Sequence, residues 1–260
     1  MKVFTHDLRG PLNFEQIPPE IQSICNSMLD GLKEALGDNL FGIYLYGAMV
    51  FPETRYIQDI DFHVILRIKL TTREKEAVKN LHNMLATKFP DLGDELDGYY
   101  ILLSDAQTIS TPWHQIYPNL PDESWPMHVA HMRAGYCIVL FGPEPSSFLP
   151  EPTWEDLVVG LKASLKHTLK YLDKYPDYCI LNFCRILYSY RMKDVVVSKR
   201  TAAKWVIEAF PNWRQLVEAA LRVYERKEQE QEIDRRLLES EIKKFYQFIT
   251  GEIETSYQDR

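Results

Sequence analysis

Two aspartates one residue apart head the most apolar segment of this chain, and they restrict the folds open to it. The stretch FGIYLYGAMVFPETRYIQDIDFHVIL, Phe41 to Leu66, holds two apolar runs that read as strands, with a glycine turn between them. Alternate side chains of a strand share a face, so Asp59, Asp61 and His63 point one way while Ile60, Phe62 and Val64 point the other. Burying an unpaired carboxylate is very costly. One face therefore calls for an apolar layer, and the head of the other for water, a partner or a cation.

The segments around this stretch supply the layers. PPEIQSICNSMLDGLKEALGDN places Ile21, Ile24, Met28, Leu32 and Leu36 at helical spacing, with prolines before it and Gly37 after. LTTREKEAVKNLHNMLATKF follows the second strand, with Thr71 or Thr72 as N-cap and Val78, Leu81, Leu85 and Phe89 on one face. A third extended run, ELDGYYILLS, ends near Ser104. The order helix, strand, strand, helix, strand predicts a small mixed sheet covered by helices. Residues 105–150 hold seven of the fifteen prolines around a short apolar segment, Val129 to Phe141, and read as a connecting region with a boundary near 150. From Thr153 onward the pattern is helical, with Pro176 and Pro211 marking breaks and a polar last helix from Glu232. The expected class is an α+β domain over 1–150 followed by an all-α helical bundle over 151–260.

A formal charge of −7 argues against sequence-blind binding to nucleic acid, which wants a basic footprint. No apolar run reaches the length that spans a bilayer, and the first residues lack the pattern of a signal peptide, so a cytoplasmic protein without membrane or nucleic-acid partners is expected. The four cysteines have no CxxC spacing and read as buried free thiols. His128 and His131 are three apart, but with no Cys or further His nearby in sequence they do not read as a metal site.

Residues 1–106 carry 16 acidic against 10 basic side chains, so acid is concentrated where the two aspartates lie. In the third run, Glu95, Asp97 and Tyr99 alternate against Leu96 and Gly98. If that strand neighbours the second, a third carboxylate joins Asp59 and Asp61, and three carboxylates repel unless a cation neutralises them. Mg²⁺ suits such oxygen donors and is commonly shared with substrate phosphates; two such ions activate an attacking oxygen and stabilise a leaving one. Gly47 follows a strand directly, and the backbone N–H groups of such a turn cradle phosphate oxygens. A strand that begins at a solvated edge explains the aspartates alone, but not the turn twelve residues earlier.

The layout YLYGA, then DID eleven residues after the Ala, resembles the nucleotidyltransferase superfamily typified by DNA polymerase β. Within it the chain is most similar to the streptomycin/spectinomycin adenylyltransferases. LDGYYILLS takes the place of their third-carboxylate strand, AGYCIVLFGPE of their apolar segment ending in a Gly turn, and CRILYSY with SKRTAAKW of their Arg-bearing helix and the Ser-Lys start of the next. The likeness runs over roughly residues 20–230. It implies an N-terminal nucleotidyltransferase domain and a C-terminal bundle. It implies Asp59, Asp61 and Asp97 as metal ligands for Mg²⁺, with Asp97 also the catalytic base and Glu95 the alternative. Gly47 and Ala48 would approach the triphosphate of ATP, and Arg185 and Lys199 would contact nucleotide phosphates. Lys199 also opens a helix, whose N-terminus favours an anion. Most of the basic residues around them (Arg191, Lys193, Arg200 and Lys204) read as a solvated helix face. The implied reaction moves AMP from ATP to a hydroxyl of a small, cationic molecule, an aminoglycoside or aminocyclitol, and releases pyrophosphate.

Two departures stand out. Gly-Ala replaces the family's Gly-Ser at Ala48, and one lost hydrogen bond to a charged group is worth about 1.5–3 kcal/mol. The acceptor region, LDKYPDYCI, is shorter, has Cys179 where the family has His, and lacks a Trp. Asp173 and Asp177 can bind an ammonium group there, with Trp113 and Trp125 lining the cleft, while Trp205 and Tyr224 read as bundle core. The competing reading, which Ala48 favours, is a nucleotide-binding protein of the same fold with little catalysis; a nucleotidyltransferase with another acceptor is the third.

Overall fold

The computed structural model describes residues 10–54, 57–117, 119–225 and 232–258. The chain divides into two compact units between Asp156 and Leu157.

In the first unit, helix α1 (Pro19–Leu36) begins at a proline and ends at Gly37, whose φ of +48° a residue with a side chain rarely adopts. Its apolar stripe, Ile21 to Leu36, is buried as the spacing predicts. Strand β1 (Leu40–Leu45) pairs antiparallel with β2 (Ile60–Leu66). Helix α2 (Thr72–Lys88) starts at a capping box in which Glu74 N–H donates to Thr71 Oγ1 and Thr71 N–H to Glu74 Oε2. The chain then returns as β3 (Leu96–Leu102), parallel to β2.

Residues 105–150 do more than connect. After a short turn of helix, α3 (Leu103–Ala106), they form α4 (Trp125–Arg133) and an edge strand, β4 (Ile138–Phe141), antiparallel to β1. The described residues thus make a four-stranded sheet in the order β3-β2-β1-β4. Pro126 and Pro145 sit in first turns, where a missing N–H costs nothing, so the proline content does not prevent these elements. Residues 112–117 lie along the outer edge of β3, with Gln115 N–H donating to Tyr100 O at 2.7 Å.

Each face of the sheet has its own core. Ile43, Leu45, Ile60, Phe62, Val64 and Tyr100 pack against α1 and α2. Tyr44, Ile65 and Ile101 pack with Trp125, Val129 and Met132 of α4. A fully buried side chain of this size contributes roughly 1.5–3 kcal/mol, so the alternation along β2 is strongly enforced.

The second unit is helical: α5 (Trp154–Leu169), whose first turn spans the division, then α6 (Pro176–Met192), α7 (Lys199–Ala209), α8 (Arg214–Glu225) and α9 (Glu232–Gln258). Helix α6 is buried on nearly every side, and α7, α8 and α9 pack on it, as with Phe183 against Phe245 and Tyr246. Pro176 and Pro211 open new helical turns at the expected breaks. The run NWRQLVEAALRVYERK reads as one helix in sequence; α8 takes it up at Arg214, and its last two residues, Arg226 and Lys227, lie outside the described residues. The cysteines are free thiols, three buried and Cys137 half-buried. No described helix is long and apolar enough to cross a membrane.

Candidate active site

The turn after β1 and the head of β2 are built around each other. Tyr46 N–H donates to Asp61 O at 3.0 Å, which brings the chain round to Gly47, at φ +77°. A Cβ on Gly47 would lie 1.8 Å from Asp61 Oδ2, so only glycine fits. The turn closes over Ala48, whose carbonyl accepts from Thr54 Oγ1 at 2.7 Å and from Phe51 N–H at 3.3 Å.

Asp61 lies opposite Asp97 in the parallel register of β2 and β3, and register partners share a face. Asp59 directly precedes β2, and Ile60 N–H donates to Glu95 O at 2.9 Å. Asp59 and Asp61 are half-buried, while Glu95 and Asp97 are exposed. The fold thus brings Asp61, Asp97 and Gly47 together, and it is Asp97, not Glu95, that faces Asp61. The neighbouring phenols register these charges. Burial pushes Tyr46 well above the usual tyrosine range, and the carboxylates of Asp61, Asp122 and Asp97 push it further. Tyr99 is raised too, by burial and then by Asp122 and Asp97.

Two residues along the same face, the strand becomes dry. His63 is fully buried, and its Nε2 lies 3.1 Å from Asp122 Oδ2, an oxygen that His128 Nδ1 also approaches, at 2.8 Å. Asp122 Oδ1 accepts from Ser124 N–H, and the ring of Tyr46 lies against both imidazoles. Burial holds His63 below the ordinary histidine range, against the pull of Asp122. Burial alone would raise Asp122, but the charge of His128 and hydrogen bonds from both histidines hold its carboxyl below the usual carboxylate range.

In the helical unit, Ser198 caps α7 by accepting from Thr201 N–H at 3.0 Å, which sets Lys199 at the first helical position. Lys199 Nζ lies 3.1 Å from Tyr224 OH, and 4.4 Å and 4.8 Å from the ring centroids of Tyr178 and Tyr224. Arg185 is half-buried on α6. Arg191 and Arg200 pair with Glu252 and Glu225 and so serve the bundle itself. Asp177, in the first turn of α6, is only 6% exposed, and its Oδ2 has no hydrogen-bond partner.

Residues 149–252 match the family model for the C-terminal domain of aminoglycoside adenylyltransferases. The chain is also similar in structure to spectinomycin adenyltransferase AAD(9) from Enterococcus faecialis, solved with ATP and spectinomycin. That likeness has a TM-score of 0.72 at 15% identity and covers 89% of this chain and 98% of that one. Residues 149–252 thus resemble the C-terminal domain of aminoglycoside adenylyltransferases, and the chain as a whole shares the fold of AAD(9). No curated protein sequence matches it.

One expectation needs correcting. Trp125 does not line a cleft: it is fully buried, donates its indole N–H to Thr108 O and packs against His63, because α4 uses it to fill the sheet's second core. Sequence spacing pairs His128 with His131, whereas the fold sets it beside His63 of β2, 65 residues away. Asp122 and Tyr46 carried no sequence signal either, since only the packing of α4 on the sheet gathers them.

Proposed function

We propose that the protein transfers AMP from ATP to a hydroxyl of an aminoglycoside or aminocyclitol. The observation that carries this reading is the register that sets Asp97 opposite Asp61, beside a turn that only Gly47 can make. The donor set fits a hard dication: Asp59, Asp61 and Asp97 are carboxylates at one end of one strand pair. Mg²⁺ held there would neutralise charge on the triphosphate and on the departing pyrophosphate.

The chain's own residues do the rest. The turn at Gly47 and Ala48 admits a phosphate close to the backbone. Asp97 accepts the proton of the acceptor hydroxyl. That oxygen bonds to the α-phosphorus, the bond from the α-phosphorus to the bridging oxygen breaks, and pyrophosphate leaves. Lys199, at a helix N-terminus, and Arg185 supply positive charge for nucleotide phosphates. The unpartnered Oδ2 of buried Asp177 suits an ammonium group of a cationic acceptor. AAD(9) was solved with ATP and spectinomycin, which agrees with both substrate classes.

Ala48 favours the second reading, a nucleotide binder with little catalysis, because the turn lacks the hydroxyl of Gly-Ser. Incubation with ATP, Mg²⁺ and streptomycin or spectinomycin, followed by mass spectrometry of the drug, separates the two. A drug gaining one AMP is expected. Unmodified drugs across the whole class, with ATP still bound, would favour the binder.

A further inference from the structure

We propose that His63, Asp122 and His128 form a second metal site, distinct from the acidic one, that takes a single Zn²⁺-class ion. Three donors from three segments converge there: one from β2, one from the loop before α4, and one from α4 itself. Their ligating atoms, His63 Nε2, Asp122 Oδ2 and His128 Nδ1, all lie within 4.8 Å of one another. The two contacts to Asp122 are 3.1 Å and 2.8 Å. A tetrahedral ion with bonds of roughly 2.0–2.2 Å holds its donors roughly 3.2–3.6 Å apart, so small outward shifts admit one.

The donor chemistry selects the ion. Two imidazoles and one carboxylate suit Zn²⁺ and its late first-row neighbours, whereas the all-oxygen set at Asp59, Asp61 and Asp97 suits Mg²⁺. Three protein ligands leave a fourth position for water. His63 and Asp122 are sealed from solvent, but the His128 side chain is 21% exposed and opens an entry path.

The supporting contacts hold the carboxylate in place. Asp122 N–H donates to Pro112 O at 3.0 Å, Asp122 O accepts from Trp125 N–H at 3.1 Å, and Oδ1 accepts from Ser124 N–H. The histidine shell is less complete, since His63 Nδ1 has no hydrogen-bond partner. A missing outer partner typically weakens metal binding 10–100-fold, so the site binds less tightly than one with a full outer shell. An ion there ties α4 to β2 just beyond Asp61. The inference stands apart from the AMP-transfer reading, since a silent enzyme and a loaded second site are compatible.

The test uses the full chain, stripped with a chelator and titrated with Co²⁺, whose four-coordinate complexes absorb visible light far more strongly than six-coordinate oxygen-ligated ones. One equivalent is expected to give the intense spectrum, with Zn²⁺ bleaching it and excess Mg²⁺ leaving it. The spectrum should persist in Asp59→Asn and vanish in His128→Ala. His128→Asn provides a second, gentler removal if the alanine variant does not fold. A parent protein without the intense spectrum overturns the proposal and leaves a hydrogen-bonded His-Asp-His cluster. Loss of the signal in Asp59→Asn, displacement by Mg²⁺, or full retention in the folded His128 variant overturns it equally.

Discussion

One face of β2 is treated in opposite ways at its two ends. At its head, half-buried Asp61 lies opposite exposed Asp97, against a turn narrow enough to exclude a Cβ. Two residues on, His63 and Asp122 are shut away from solvent, and one carboxylate oxygen is approached by two imidazoles. Both ends carry carboxylates on the same surface. The difference teaches which charges belong to the fold: a dry carboxylate must be satisfied by the protein, while a wet one beside a backbone turn can meet a substrate.

If that division is right, substitutions at the two ends have different readouts. Asp61→Asn should cost AMP transfer at least about 10³-fold, since several kcal/mol of charge stabilisation are lost, and leave the unfolding midpoint within a degree or two. A large stability loss instead would erase the contrast. Asp122→Asn should do the reverse in urea unfolding and destabilise by about 3 kcal/mol, because it breaks a buried charged network. A variant as stable as the parent would show that the dry end is not structural. Gly47→Ala tests the border between the ends. Its positive φ and the contact with Asp61 should lower transfer roughly 100-fold, or about 2.7 kcal/mol.

The rule for dry groups extends to the far edge of the sheet. His114 Nδ1 accepts from Ile116 and Tyr117 N–H at 2.9 Å and 3.1 Å, while Nε2 donates to Gly98 O at 3.1 Å. Burial, with His82 and His63 nearby and against the pull of Gly98 O, pushes its pKa down to about 4. The unfolded chain therefore takes up the proton first. This histidine's stability contribution is complete above the unfolded value near 6.5 and falls away as pH drops toward about 4, by up to roughly 3 kcal/mol. His114→Gln should flatten that part of the urea-unfolding pH profile; an unchanged slope would place the titration elsewhere. The smallest effect is expected at Ala48→Ser, a gain in transfer rate of roughly tenfold from one restored hydrogen bond to phosphate. A slower variant would mean that the turn has no use for the hydroxyl.

Much of this division was legible in the sequence. Period-two alternation placed Asp59, Asp61 and His63 on one face and Glu95, Asp97 and Tyr99 on one face of the third run, while the pairing of the two strands came from the fold. Helix signals gave the α1 stripe and the α2 cap, because local hydrogen bonds and spacing decide both. Strand β4 and helix α4 were obscured by prolines that occupy first turns and loops and break nothing. The buried cluster was illegible for another reason. His63 and His128 lie 65 residues apart, and Asp122 reads as one more polar residue in a turn until α4 packs on the sheet. Sequence spacing reports neighbours along a segment, not those made by tertiary packing.

The central claim is that the wet end of β2 performs phosphoryl chemistry, and acceptor-dependent pyrophosphate release tests it most directly. With ATP, Mg²⁺ and a panel that includes streptomycin and spectinomycin, the parent protein is expected to release pyrophosphate only when a drug that it modifies is present, and Asp59→Ala to release none. An Asp59→Ala variant as active as the parent, or a parent that binds ATP yet releases no pyrophosphate with any acceptor, would contradict it.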